Sequence, residues 1–176
     1  MNLFLIGYRG SGKSTVAAAL AERLHWPWID ADAELERRAG LSIKEIFARE
    51  GESGFRQSEA DVVQDLAGRD GWIVALGGGA VLRDDNRRTV AGRGKIVWLK
   101  ASPETLAKRI HADPTTAERR PNLTAQGGLA EIRELVTRRA PLYAAWADLT
   151  VVAEEQSPAE IADRICRELH LETTTP

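Results

Sequence analysis

Residues 7–14 read Gly-Tyr-Arg-Gly-Ser-Gly-Lys-Ser, a G-x-x-x-x-G-K-[ST] pattern complete at every fixed position. Glycines let a backbone bend until successive N–H groups converge on phosphate oxygens. A helix that follows such a loop points its positive dipole end at the same place. Lys13 adds a point charge for the β- and γ-phosphates, and the Ser14 hydroxyl is a hard oxygen ligand for Mg²⁺. The apolar run 2–6 ahead of the loop reads as a strand, and the Ala/Leu-rich stretch 14–24 behind it as a helix. That context argues against a mere glycine-rich turn and for a site that binds a nucleoside triphosphate through Gly10, Ser11, Gly12, Lys13, Ser14 and Thr15.

Other polar signals also follow apolar runs. Asp30 and Asp32 lie two residues apart after the short run 28–30, which puts both carboxylates on one side of an extended segment. Phosphoryl transfer needs one carboxylate near the metal and another near the attacking hydroxyl. The competing reading is a solvated turn in which Asp32 caps a helix over 33–39; beside the phosphate loop, function is favoured. Gly77, Gly78 and Gly79 follow the run 72–76, as a tight turn or as a place where backbone closes on a ligand. Arg56, the pairs Arg119-Arg120 and Arg138-Arg139, and their planar forks are candidate anion clamps. Taken singly, each reads first as a solvated surface residue. Arg120 stands apart because it lies in a long polar stretch, 111–128, of the kind that forms a closing lid able to bring charge to a γ-phosphate. The five tryptophans read as core packing, with no basic residues interleaved for base stacking. His25, His111 and His170 show no metal-ligand spacing.

These residues need a frame. Strand patterns at 2–6, 28–30, 72–76, 95–99 and 149–153 alternate with helical patterns at 14–24, 33–39, 42–49, 54–67, 84–91, 102–110, 129–144 and 157–169. Alternation of this kind implies a parallel sheet covered on both faces, with ligands at the carboxyl ends of its strands. The chain of 176 residues suits one domain over 1–170, with 171–176 a frayed tail. A net charge of −2 gives no reason to expect a nucleic-acid or membrane partner. The opening apolar run is too short for a signal peptide, no later run is long enough to span a bilayer, and the default compartment is the cytoplasm. The lone Cys166 excludes an internal disulfide and reads as a core thiol.

Taken together, the motifs are more specific than any one of them. Gly7 to Thr15, Asp30 and Asp32, the G-x-x-x-F-R of Gly51 to Arg56, the L-G-G-G-A of Leu76 to Ala80, Arg120-Pro121, and the R-x-P-L-Y of Arg139 to Tyr143 occur in one order over nearly the whole chain. The set resembles the shikimate kinase family. The resemblance implies the P-loop fold of nucleoside monophosphate kinases: a three-layer α/β/α domain with a five-stranded parallel sheet and a lid at about 111–128. It implies transfer of the γ-phosphoryl group of MgATP to the 3-hydroxyl of shikimate, by a cytoplasmic monomer. It implies that Lys13 holds the phosphates, that Ser14 ligates Mg²⁺ with Asp30 near the metal, and that Asp32 orients or deprotonates the acceptor hydroxyl. Arg56 and Arg139 would pair with the shikimate carboxylate, Gly78 and Gly79 would close on its ring, Arg109 would pack on adenine, and Arg120 would swing in with the lid. Asn122 departs from the family, standing where an apolar residue is usual. The alternatives are a gluconate or nucleotide kinase on the same scaffold and a non-catalytic ATP-binding domain.

Overall fold

The computed structural model describes residues 1–113 and 128–171. Five strands, β1 (Asn2–Ile6), β2 (Trp28–Asp30), β3 (Ile73–Ala75), β4 (Gly94–Lys100) and β5 (Leu149–Val152), form one sheet in the order β2-β3-β1-β4-β5, every pairing parallel. Parallel strands need crossovers, and helices provide them: α1 (Lys13–Leu24), α2 (Ala31–Ala39), α3 (Ile43–Ala67), α4 (Asp84–Val90), α5 (Pro103–Ala112) and α6 (Gly128–Trp146), with α7 (Pro158–Glu168) following the last strand. All the carboxyl ends therefore share one edge, where the phosphate loop, Asp30 and the triple glycine emerge.

Side-chain alternation along the inner strands divides the core between the sheet's two faces. Leu3, Leu5, Ile73, Ala75, Val97 and Leu99 point to one face and meet Val16, Leu20 and Leu24 of α1 and Ile161, Ile165 and Cys166 of α7. Phe4, Ile6, Val74, Ile96 and Trp98 point to the other, against Val62, Val63 and Leu66 of α3 and Tyr143 and Trp146 of α6. Cys166 is the core thiol expected, and burial pushes its pKa up, which keeps it protonated and unreactive. Trp28 departs from the core role read for the tryptophans: it lies on edge strand β2 and is 39% exposed.

Several boundaries shift for local reasons. The two helices read at 42–49 and 54–67 are one element, α3, kinked at Gly51 (φ 69°, ψ −176°) and started by a capping box in which Ser42 and Glu45 exchange side-chain and backbone bonds. The cap of α2 is Asp30 and not Asp32. Asp30 keeps extended dihedrals as the last residue of β2, and its carboxylate accepts from the N–H groups of Asp32 (2.9 Å) and Ala33 (3.2 Å). Strand thus passes into helix with no loop between, and Asp32 falls on the first turn of α2. Further along, Glu34 binds Arg37 and Arg38, and Arg38 also binds Asp65, which ties α2 to α3. The two guanidiniums hold the Glu34 carboxyl down at about 2. A 3₁₀ turn at Ala80–Leu82 follows the triple glycine, unanticipated by the sequence. In the stretch read as a lid, residues 111 and 112 close α5 and residue 128 opens α6. Arg119, Arg120, Pro121 and Asn122 lie outside the described residues.

Asn2 is fully buried, and its amide joins the start of β1 to the approach of β3: Oδ1 accepts from the Trp72 N–H at 3.0 Å and Nδ2 donates to Arg69 O at 2.7 Å. Asn2→Ala leaves buried backbone groups unpaired, which costs about 2 kcal/mol. Urea denaturation should register that loss with an unchanged slope, and the thermal midpoint should drop by roughly 4–8 °C. An unchanged midpoint would mean that water replaces the amide at no cost.

Candidate active site

The phosphate loop takes its shape from three glycines in left-handed or related backbone: Gly7 (φ 148°), Gly10 (φ 82°) and Gly12 (φ 91°), the last capping α1. Lys13 folds back over the loop and donates to the carbonyls of Gly7 (2.9 Å) and Tyr8 (3.0 Å). Its ammonium is thereby held above the space that a phosphate chain would fill. Ser14 Oγ donates to Asp30 Oδ2, so the one carboxylate caps α2 with one oxygen and meets the loop hydroxyl with the other. Among the described residues no three His, Cys or acidic side chains converge as a metal cage. Two protein oxygens fit Mg²⁺, which takes its remaining ligands from substrate phosphates and water.

Arg109, from the end of α5, donates to Ala153 O at 2.6 Å and stretches toward the carbonyls of Gly10 and Ser11 at 3.5 Å. It flanks a long open groove of about 1690 Å³, mouth included, lined by residues 9–16 of the loop, Asp30, Asp32 and, beyond Arg109, Ala153, Gln156, Pro158 and Ile161. Sequence reasoning missed that far wall. Its signal was position alone, since these residues follow strand β5 at the ligand edge of the sheet.

A second, smaller cleft of about 500 Å³ opens beside the groove, walled by Ile43, Phe47 and Phe55 and by Arg56, Glu59, Gly78, Gly79 and Arg139. Phe47 stacks on Phe55 at 4.5 Å between ring centres. The arginines here are not solvated surface residues. Arg139 is 6% exposed and donates to Gly78 O at 3.1 Å; Arg56 pairs with Glu59 at 2.8 Å. Its neighbour Arg138 is exposed and outside the cleft. Burial pushes the Glu59 carboxyl up, against the pull of Arg56, Arg139 and Arg83. Glu59 is three residues past Arg56 on one helix, a spacing visible in the sequence but passed over. Tyr143 donates to the same Gly78 carbonyl at 2.6 Å while its ring stacks on Trp98. Burial pushes its phenol up to about 12, so it stays a donor at neutral pH.

The triple glycine is more than a tight turn. None of its members has positive φ; what excludes a side chain is space. A Cβ on Gly79 would stand 2.3 Å from Arg56 Nη1, and one on Gly77 would stand 2.7 Å from Asp32 Oδ1. Gly78 packs against the Gly7 carbonyl and the Arg9 N–H of the phosphate loop. Asp32 lines both the groove and the cleft. Of the residues picked from the sequence, Gly10 to Thr15, Asp30 and Arg109 therefore gather at the groove, Arg56, Gly78, Gly79 and Arg139 at the cleft, and Asp32 between them.

Comparison with known proteins agrees with this layout. The family model for shikimate kinase matches residues 9–170. The shikimate kinase of Rhodopirellula baltica is 43% identical over 166 residues, covering 94% of this chain and 89% of its own. Among solved structures, shikimate kinase from Acinetobacter baumannii in complex with shikimate superposes with a TM-score of 0.90 at 34% identity, covering 96% of this chain and 92% of the other. A gluconokinase from Sinorhizobium meliloti reaches a TM-score of 0.58 at 23% identity over 96% of this chain and 95% of its own, a likeness of fold alone. The chain belongs to the shikimate kinase family, ATP-dependent phosphotransferases that act on a hydroxyl.

Proposed function

We propose that ATP occupies the groove, that shikimate occupies the cleft, and that the γ-phosphoryl group passes between them to the 3-hydroxyl. The observation that carries this reading is Asp32, on the wall common to both cavities. Loop N–H groups from Gly10 to Thr15 and the Lys13 ammonium would grip the phosphates, and Arg109 would lie along the base. Mg²⁺ would be held by Ser14 with Asp30 beside it, and when bound it screens the phosphate charge against the incoming nucleophile. Asp32 orients the acceptor hydroxyl and takes its proton.

The cleft fits a small monoanion. Arg56 and Arg139 stand with Glu59 there, an excess of one positive charge. Glu59 holds Arg56, and the Gly78 carbonyl holds Arg139, so two guanidinium forks are pre-set for one carboxylate. Gly78 and Gly79 bring bare backbone to the ring, and Ile43, Phe47 and Phe55 cover its apolar faces. Arg120, assigned from the family pattern alone, would add charge between donor and acceptor. The same reading takes the protein as a cytoplasmic monomer of one domain.

ADP release with MgATP and, separately, shikimate, gluconate or a nucleoside monophosphate tests the assignment. Turnover with shikimate alone is expected; turnover with another acceptor would remove the paired-arginine reading of the cleft. Asp32→Asn should bind ATP normally and lose at least about 100-fold in kcat, and an intact kcat would take Asp32 out of the chemistry. Arg139→Ala should raise the shikimate KM roughly 10- to 100-fold, with the KM for ATP unmoved. Tyr143→Phe keeps the ring on Trp98 but leaves the Gly78 carbonyl with Arg139 as its remaining side-chain donor. It should raise the shikimate KM about fivefold, a hydrogen bond's worth, and an effect on thermal midpoint without one on KM would make Tyr143 purely structural.

A further inference from the structure

The groove and the cleft share three lining residues: Asp32, Ile43 and Arg9. One is the carboxylate already discussed and one is apolar. Arg9 is the cation, half-buried at the seam. The other arginines lining these cavities are each tied down: Arg56 by Glu59 (2.8 Å), Arg109 by the Ala153 carbonyl (2.6 Å) and Arg139 by the Gly78 carbonyl (3.1 Å). Among the described residues nothing hydrogen-bonds or ion-pairs with the Arg9 guanidinium. Its backbone, in contrast, is fixed, because Gly10 turns immediately after it (φ 82°) and Gly78 packs against its N–H. The fold thus delivers a planar, permanently charged fork, without a partner among the described residues, to the place where the two cavities meet. The G-x-x-x-x-G-K-[ST] pattern makes no demand at this position, so loop geometry does not account for an arginine.

Resting on the proposed reaction, we propose that Arg9 is the group that receives the phosphoryl moiety on the acceptor side and discriminates the phosphorylated product from the substrate. In the transfer, the bond from the γ-phosphorus to the oxygen bridging it to ADP breaks, and its electron pair leaves on ADP. The acceptor oxygen bonds to phosphorus and its proton passes to Asp32. The cleft begins with a single carboxylate charge and ends with a phosphomonoester as well, about two further negative charges at neutral pH. Arg56 and Arg139 are held at the carboxylate end and Lys13 on the loop carbonyls. Arg9 can place two parallel N–H bonds on the equatorial oxygens as they cross the seam. An interaction that exists only once the phosphoryl group is moving raises kcat and product affinity without touching substrate affinity.

The test compares Arg9→Met and Arg9→Gln, with Arg9→Lys as the charge-retaining control, in the full chain. Dissociation constants for shikimate and for shikimate 3-phosphate are measured by calorimetry, alongside kcat. Arg9→Met and Arg9→Gln should weaken shikimate 3-phosphate at least tenfold, leave shikimate within twofold and lower kcat by about tenfold, while Arg9→Lys recovers most of both. Equal weakening of the two ligands would make Arg9 a wall of the acceptor cleft and overturn the proposal, as would unchanged product affinity in either variant that melts cooperatively. Wild-type turnover of shikimate is measured first. Its absence would sink the substrate assignment and this inference together, whereas turnover with silent Arg9 variants would sink this inference alone.

Discussion

The site depends on one close approach. Gly78 lies against the Gly7 carbonyl and the Arg9 N–H, so close that even a methyl group would stand only 3.3 Å from each. β3 and β1 are neighbours in the sheet, so the segments leaving their carboxyl ends run side by side. Because neither segment carries bulk at the crossing, the cavity made by one abuts the cavity made by the other. A single methyl at Gly78 would begin to push the groove and the cleft apart, and one at Gly79 would displace the Arg56 fork outright. Phosphoryl transfer asks for little covalent chemistry and much positioning, so this contact governs the rest.

Around it the buried polar groups act as a positioning shell. The Gly78 carbonyl accepts from both Arg139 and Tyr143, which uses both of its lone pairs and fixes the peptide plane. Glu59 and Arg56 form a pair almost removed from water, an arrangement that seldom adds stability. Its value lies elsewhere. A guanidinium already committed on one side has fewer orientations to lose when a carboxylate arrives on the other. The Tyr143 ring is clamped on Trp98 in the core, so the shell is anchored to the sheet and not to a loop.

How much of this was legible in the sequence follows from whether each feature is local. The phosphate loop was legible, because its glycines, lysine and serine act over eight consecutive residues and the flanking strand and helix announce themselves. The alternation of elements, and so the sheet with its ligand edge, was legible for the same reason. The arginines were legible only through the family pattern, since Arg56, Arg138 and Arg139 are chemically alike and, residue by residue, only tertiary burial separates the two that face the cleft from the one in water. Asp30 and Asp32 were found as a pair with their capping duty reversed, because nothing local says that β2 runs into α2 without a loop. The triple glycine left two readings open because the answer lies in atoms of Arg56, Asp32 and Gly7, distant in sequence. Tyr143 and the wall from Ala153 to Ile161 escaped for the same cause, whereas the Arg56–Glu59 spacing on one helix was local.

The phosphate loop also carries a division of labour that its motif conceals. Its fixed positions bend the backbone and, in the proposed reaction, bind the donor, and those are the positions a pattern can name. Its variable positions face what the rest of the fold brings near. Tyr8 turns inward, its ring under the Arg139 guanidinium at 5.6 Å, and so braces the cleft from the phosphate-loop side. Arg9 turns to the seam. One loop therefore contributes to both cavities through residues its defining pattern leaves free. In the proposed reaction, the acceptor side can thus be tuned from within this loop without changing the positions that form the phosphate cradle.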